Sequence, residues 1–149
     1  MDNLITTPLI GPLFVHTLAY PIGKFLIGTG IANAFDPQQP PPDYLARTGA
    51  ELILRPAELT ANAEDVMQLK AFVTAQAPRY TGLEMPTVIV FGSADEIVTP
   101  GIHARPIAAV LPRGRLIELP GVGHMVHFAA ADRIVEVIEE LAAEMRAGR

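Results

Sequence analysis

The chain has 149 residues, 50% of them hydrophobic, enough to bury one sizeable core. Lys and Arg number 11 against 16 Asp and Glu, and the net charge of -5 argues against a dedicated nucleic-acid binder, which needs a basic surface to neutralise phosphates. Cysteine is absent, which excludes a disulfide framework, thiolate metal sites and a Cys nucleophile. Serine occurs once, at Ser93, so the usual hydrolytic nucleophiles are almost missing from the chain.

Residues 4–23 carry no formal charge, and Lys24 leads into a second apolar run, Phe25-Leu26-Ile27-Gly28. A stretch of about twenty apolar residues can span a bilayer as a helix. Pro8, Pro12, Pro21 and His16 oppose that reading, because each proline removes a backbone donor that lipid cannot replace. The start, Met1-Asp2-Asn3, lacks the basic residues of a signal peptide. Residues 1–35 therefore read as short helices broken by Pro and Gly, buried or covered by a partner. No membrane association is expected, and the expected location is the cytoplasm.

A turn-rich connector follows, Phe35-Asp36-Pro37-Gln38-Gln39-Pro40-Pro41-Pro42-Asp43-Tyr44. Its prolines force extended backbone, so it reads as a stiff linker without chemistry. Residues 45–84 read as helical. Asn62 stands as an N-cap ahead of Glu64 and Asp65, which suit the helix dipole. Val66, Leu69, Phe72 and Val73 then recur at helical spacing, and Ala77-Pro78 ends the helix.

From Pro86 the pattern changes. Thr87–Phe91 is a short β-branched and aromatic run that predicts a buried strand, and Gly92-Ser93-Ala94-Asp95 turns out of it. A helix near His103–Leu111 leads to a second strand, Arg115–Leu119. Pro120-Gly121-Val122-Gly123 then delivers His124. The last helix, about 132–146, has Ile134, Ile138, Leu141 and Met145 on one face. Strand, helix, strand, helix predicts parallel strands joined by a crossover. The expected class is α/β, with a helical region over 1–85 and the parallel unit over 86–149.

Several motifs fail. Gly28-Thr29-Gly30 has Asn33 where a dinucleotide fingerprint needs its third glycine, and Gly23-Lys24 lacks the rest of a phosphate loop. His124 and His127 are three apart without an acidic cluster or an HExxH pattern. No metal and no cofactor are expected.

Asp95 and His124 remain. Loops at the carboxyl ends of adjacent parallel strands lie side by side, so these side chains can converge. A carboxylate against an imidazole N–H fixes the tautomer and stabilises the imidazolium that forms on proton uptake. Taken singly, Asp95 reads as a strand-end cap and His124 as a loop histidine. Together they read as an acid–base pair.

At these residues the sequence resembles the C-terminal part of an α/β-hydrolase. Pro86–Pro100 is similar to the family segment that presents the triad acid, and Pro120–Phe128 to its histidine loop. Residues 1–85 resemble, more loosely, the helical cap. The resemblance implies a triad in chain order nucleophile, acid, base, with Asp95 as the acid and His124 as the base. It assigns no role to Glu96 or His127. The family's nucleophile elbow, G-x-S-x-G or an Asp counterpart, does not occur. Ser93 sits in Gly92-Ser93-Ala94-Asp95-Glu96, which lacks the second glycine.

The resemblance thus implies hydrolysis of an ester or related bond in a small apolar substrate, by an enzyme whose nucleophile half lies elsewhere. The chain alone is expected to be an inactive fragment that needs a missing N-terminal half or self-associates. The alternative is a non-catalytic interaction or membrane-associated protein using the apolar N-terminal region.

Overall fold

The structure, a computed structural model, describes residues 2–147. The chain divides into two units. One comprises residues up to Ala32 with Pro40–Ala77, and the other comprises Asn33–Gln39 with the chain from Pro78 onward.

The first unit is helical: α1 (Asp2–Ile5), α2 (Ile10–Thr17), most of α3 (Ala19–Phe35), α4 (Tyr44–Thr48), a 3-10 turn (Ala50–Leu54) and α5 (Pro56–Gln76). Helices α1 and α2 pack on α5. Ile5, Val15 and Ala63 form a small buried cluster with Phe14 and Leu59 against it. Helix α5 begins earlier than its Asn62 signal predicts. Pro56 occupies its first turn, where no backbone donor is needed, so Asn62 lies well inside the helix and caps nothing. The apolar stripe on α5 is also uncovered, with Phe72 67% exposed. Periodicity specifies a face, but α1 and α2 cover α5 only near Leu59 and Ala63.

Gly23-Lys24 and Gly28-Thr29-Gly30 lie inside α3. Their amides point along a helix interior and cannot form a phosphate-binding loop. Among the described residues no single helix is long and apolar enough to cross a membrane. Helices α2 and α3 pass that test only as a pair bent by 65°. Leu9, Leu13 and Phe25 lie in the stretch expected to be buried or covered by a partner, and they are not buried within the chain itself.

Besides Asn33–Gln39, the second unit holds all but the first residue of a 3-10 segment (Ala77–Gly82), then β1 (Thr87–Gly92), α6 (Ala104–Val110), β2 (Gly114–Leu119), α7 (Val126–Ala129) and α8 (Ala131–Ala147). The strands pair in parallel, from Thr87 opposite Gly114 to Gly92 opposite Leu119. The chain is therefore mixed helix and sheet, consistent with the α/β class. Helix α6 connects the strands and packs on both, and α8 packs on β1. Phe35, Phe91, Leu111 and Val137 are buried in this unit. The buried face of α8 differs from the expected one: Val137 is 5% exposed while Ile138 is 60% exposed. Ile134, Val137 and Leu141 share the spacing of the predicted stripe, so periodicity alone could not choose between them.

Candidate functional site

Because β1 and β2 are parallel and in register, Gly92 and Leu119 end the strands side by side. The acid loop and the histidine loop leave from these two residues and are zipped together. Ser93 N–H donates to the Leu119 carbonyl at 3.0 Å and Ala94 N–H to the Val122 carbonyl at 2.9 Å. Gly121 N–H donates to Ser93 Oγ at 2.8 Å. A Cβ on Gly92 would overlap the carbonyls of Val122 and Gly123, so only glycine lets the histidine loop close over the end of β1.

Asp95 is 9% exposed, and each of its carboxylate oxygens has a partner. Oδ1 accepts the backbone N–H groups of Ile97 at 2.9 Å and Val98 at 2.8 Å. Oδ2 faces His124 Nδ1 at 3.0 Å. Burial pushes the Asp95 carboxyl upward, but the hydrogen bonds from Val98, His124 and Ile97 outweigh it and hold the group below its ordinary value. Asp95 is thus an ionised acceptor. An ionised carboxylate cannot donate, so the contact is a hydrogen bond only with a proton on Nδ1, and in the neutral ring that tautomer carries its lone pair on Nε2. The His124 side chain is 34% exposed, which leaves the ring accessible for proton transfer.

A third segment meets the histidine loop. Gln38 Nε2 donates to the Gly121 carbonyl at 2.8 Å, and Gly123 N–H donates to Gln38 Oε1 at 2.9 Å. Gly123 lies so close to the Asp36 carbonyl that a Cβ there would overlap it. Phe35, at the end of α3, meets Phe128 edge-on with ring centroids 5.3 Å apart. The connector that reads in sequence as a plain linker therefore contacts the loop that carries His124. Gln38 has no local signature, because its partners lie 83 and 85 residues away. The nearest signal is that Gln38 and Gln39 interrupt a run of prolines; the stretch expected to run extended instead turns at Asp36-Pro37 and bends at Gln38.

The structure brings Asp95 and His124 together and leaves Glu96 exposed. His127 is also exposed, with its ring 4.8 Å from that of Phe128. Ser93 follows β1 in a turn, not a strand-to-helix elbow, and its hydroxyl accepts Gly121 N–H. Among the described residues no group of three His, Cys, Asp or Glu could hold a metal ion. A cavity lined by His16, Arg55, Thr60 and Glu64 lies within the helical unit and includes neither Asp95 nor His124. It has no part in this site.

No family model matches the chain. The chain is 32% identical over 74 residues to the putative non-heme bromoperoxidase BpoC of Mycobacterium tuberculosis, a match covering 50% of the chain and 28% of that protein. It is 37% identical over 91 residues to the polyketide synthase ThaQ of Burkholderia thailandensis, covering 58% of the chain and 4% of the synthase. The chain thus spans less than a third of the curated relatives it matches. These partial similarities are consistent with a hydrolase-like fold.

Proposed function

We propose that the chain carries the acid and the base of an α/β-hydrolase apparatus, Asp95 and His124, with the nucleophile supplied from outside these 149 residues. The reading rests above all on the 3.0 Å contact between Asp95 Oδ2 and His124 Nδ1 at the carboxyl ends of adjacent parallel strands. Asp95 orients the ring and stabilises its protonated form. His124 Nε2 takes the proton of an attacking hydroxyl and later returns it to the leaving group. The proposed substrate is an ester or related bond in a small apolar molecule, with residues 1–85 as a cap-like region. The partial similarity to BpoC supports a hydrolase-like assignment for the chain.

Without a nucleophile no acyl-enzyme forms, so the purified chain should turn over p-nitrophenyl esters no faster than its His124→Ala variant. Supplying an N-terminal half with an intact elbow, in trans or by fusion, should create activity that His124→Ala abolishes. Robust turnover by the chain alone would make Ser93 the residue to test and would end the missing-nucleophile reading.

The exposed apolar side chains of Leu9, Leu13 and Phe25 favour a second reading, a non-catalytic protein that uses its N-terminal helices to bind a partner or membrane surface. Co-sedimentation with lipid vesicles, lost on Phe25→Asp, would support it.

A further inference from the structure

We propose that Gln38 is a positioning residue for His124, holding the histidine loop through both ends of its side-chain amide. The proposal rests on the reading of Asp95 and His124 as an acid–base pair. The two peptide groups that Gln38 engages flank Val122, and the second, Gly123 N–H, immediately precedes His124. The Gly121 carbonyl can only accept and the Gly123 N–H can only donate, so the orientation of the Gln38 amide is fixed by its partners. A neutral amide is the side chain that matches both at once. A carboxylate offers acceptors alone, and an ammonium offers donors alone.

The segment carrying Gln38 is itself anchored. Phe35 is 2% exposed and meets Phe128. The Asp36 carbonyl abuts Gly123, an approach that only glycine allows. The histidine loop is therefore held on one side by Ser93 and Ala94, and on the other by Gln38. Asp95 needs no such help, because Ile97 and Val98 hold it within its own loop. The position of the base thus depends on contacts from a part of the chain remote in sequence. A misplacement of about 1 Å at a reacting group can cost ~10²-fold in rate, so this clamp bears directly on function.

The test uses the 149-residue chain at a single pH of about 8 for every variant. Ring-nitrogen chemical shifts of His124 and amide exchange at Ser93 and Gly123 are measured for the wild type, Gln38→Met, Gln38→Glu and Asp95→Asn. In Gln38→Met the Gly123 amide should exchange about five- to tenfold faster, and the His124 ring should lose its Nδ1–H signature, while Ser93 stays protected. Gln38→Glu keeps an acceptor for Gly123 but offers no donor to Gly121, so it should fall between. It also keeps the proposal testable if Gln38→Met does not fold. Ring shifts at wild-type values in the Gln38 variants, with or without faster exchange, would overturn the proposal and reduce Gln38 to a loop staple. Ring shifts unmoved by Asp95→Asn would instead defeat the acid–base reading itself, whatever Gln38 does.

Discussion

Asp95 Oδ2 and His124 Nδ1 lie 3.0 Å apart, and the two side chains reach that distance with different kinds of support. Asp95 is fixed locally, by backbone N–H groups two and three residues ahead of it. His124 is fixed by tertiary contacts, through a loop tied to Ser93, Ala94 and Gln38. Local loops of this kind form from their own sequence, whereas the histidine loop needs three separate stretches of chain to be in place. Perturbation should therefore displace His124 before Asp95.

Replacing Asp95 by Asn isolates the role of the contact. The Asn carbonyl oxygen still accepts from Ile97 and Val98, so the acid loop keeps its shape. Its amide nitrogen then faces His124 Nδ1 and can only donate, which moves the ring proton to Nε2 and removes the basic lone pair. In an enzyme completed by a nucleophile half, kcat should fall by about 10⁴ with little change in the fold. Steady-state kinetics and ring-nitrogen shifts measured on the same sample check this. Full activity together with an inverted tautomer would sink it.

The lowered Asp95 carboxyl also predicts an acid limb in stability. Its ordinary value is 3.8, and burial, which raises it, is outweighed by the hydrogen bonds from Val98, His124 and Ile97. A carboxyl whose folded-state value is depressed contributes stability above its unfolded value, and that contribution is lost as pH falls through the folded value. Urea midpoints of the chain should therefore fall as pH drops below about 3.8, relative to Asp95→Asn, which lacks the titrating group. Parallel curves for the two proteins below that pH would count against the ionised, hydrogen-bonded Asp95.

Much of this site is legible in the sequence because it is built from local signals. The β-branched run Thr87–Phe91, the turn Gly92-Ser93-Ala94 and the loop Pro120–Gly123 each announce themselves, and parallel pairing then brings Asp95 and His124 together. Gln38 is not legible, since a hydrogen bond across 85 residues leaves no trace in local composition. The burial of α8 and α5 is half legible. Both stripes have helical spacing, yet whether Val137 or Ile138 is buried depends on where β1 lies, and the face around Phe72 has no cover.

Gly123→Ala should damage the site without touching either titrating side chain. The added Cβ would meet the Asp36 carbonyl oxygen, with Pro37 Cδ 3.1 Å away, and backbone atoms cannot swing aside as a flexible side chain can. Overpacking of this kind costs about 1–3 kcal/mol. Relief requires the histidine loop to move away from the Asp36–Gln38 segment, so the Gln38 hydrogen bonds should break as well. A urea titration paired with amide exchange at position 123, whose N–H donates to Gln38 Oε1 in the wild type, measures both effects. An unchanged midpoint with protected amides would show that the loop lies elsewhere.

We expect the chain to self-associate, on the ground of its uncovered strand edges and apolar side chains. Among the described residues β1 and β2 pair only with each other, so the outer edge of each strand keeps unmatched N–H and C=O groups. A two-stranded sheet is marginal without further cover. The helical unit adds exposed apolar side chains, including Leu9, Leu13 and Phe25, and groups of this kind drive association. Sedimentation velocity should show a weight-average mass that rises with concentration, and the chain should bind ANS. Phe25 is 85% exposed, so Phe25→Asp removes apolar surface with little loss of internal contacts. It should weaken both association and dye binding while leaving the urea midpoint of the monomer nearly unchanged. If mixing with a nucleophile half lowers ANS binding together with the appearance of ester turnover, the proposed nucleophile half also covers the exposed surface. A monomer at every concentration, with no dye binding, would show that these edges and side chains need no partner.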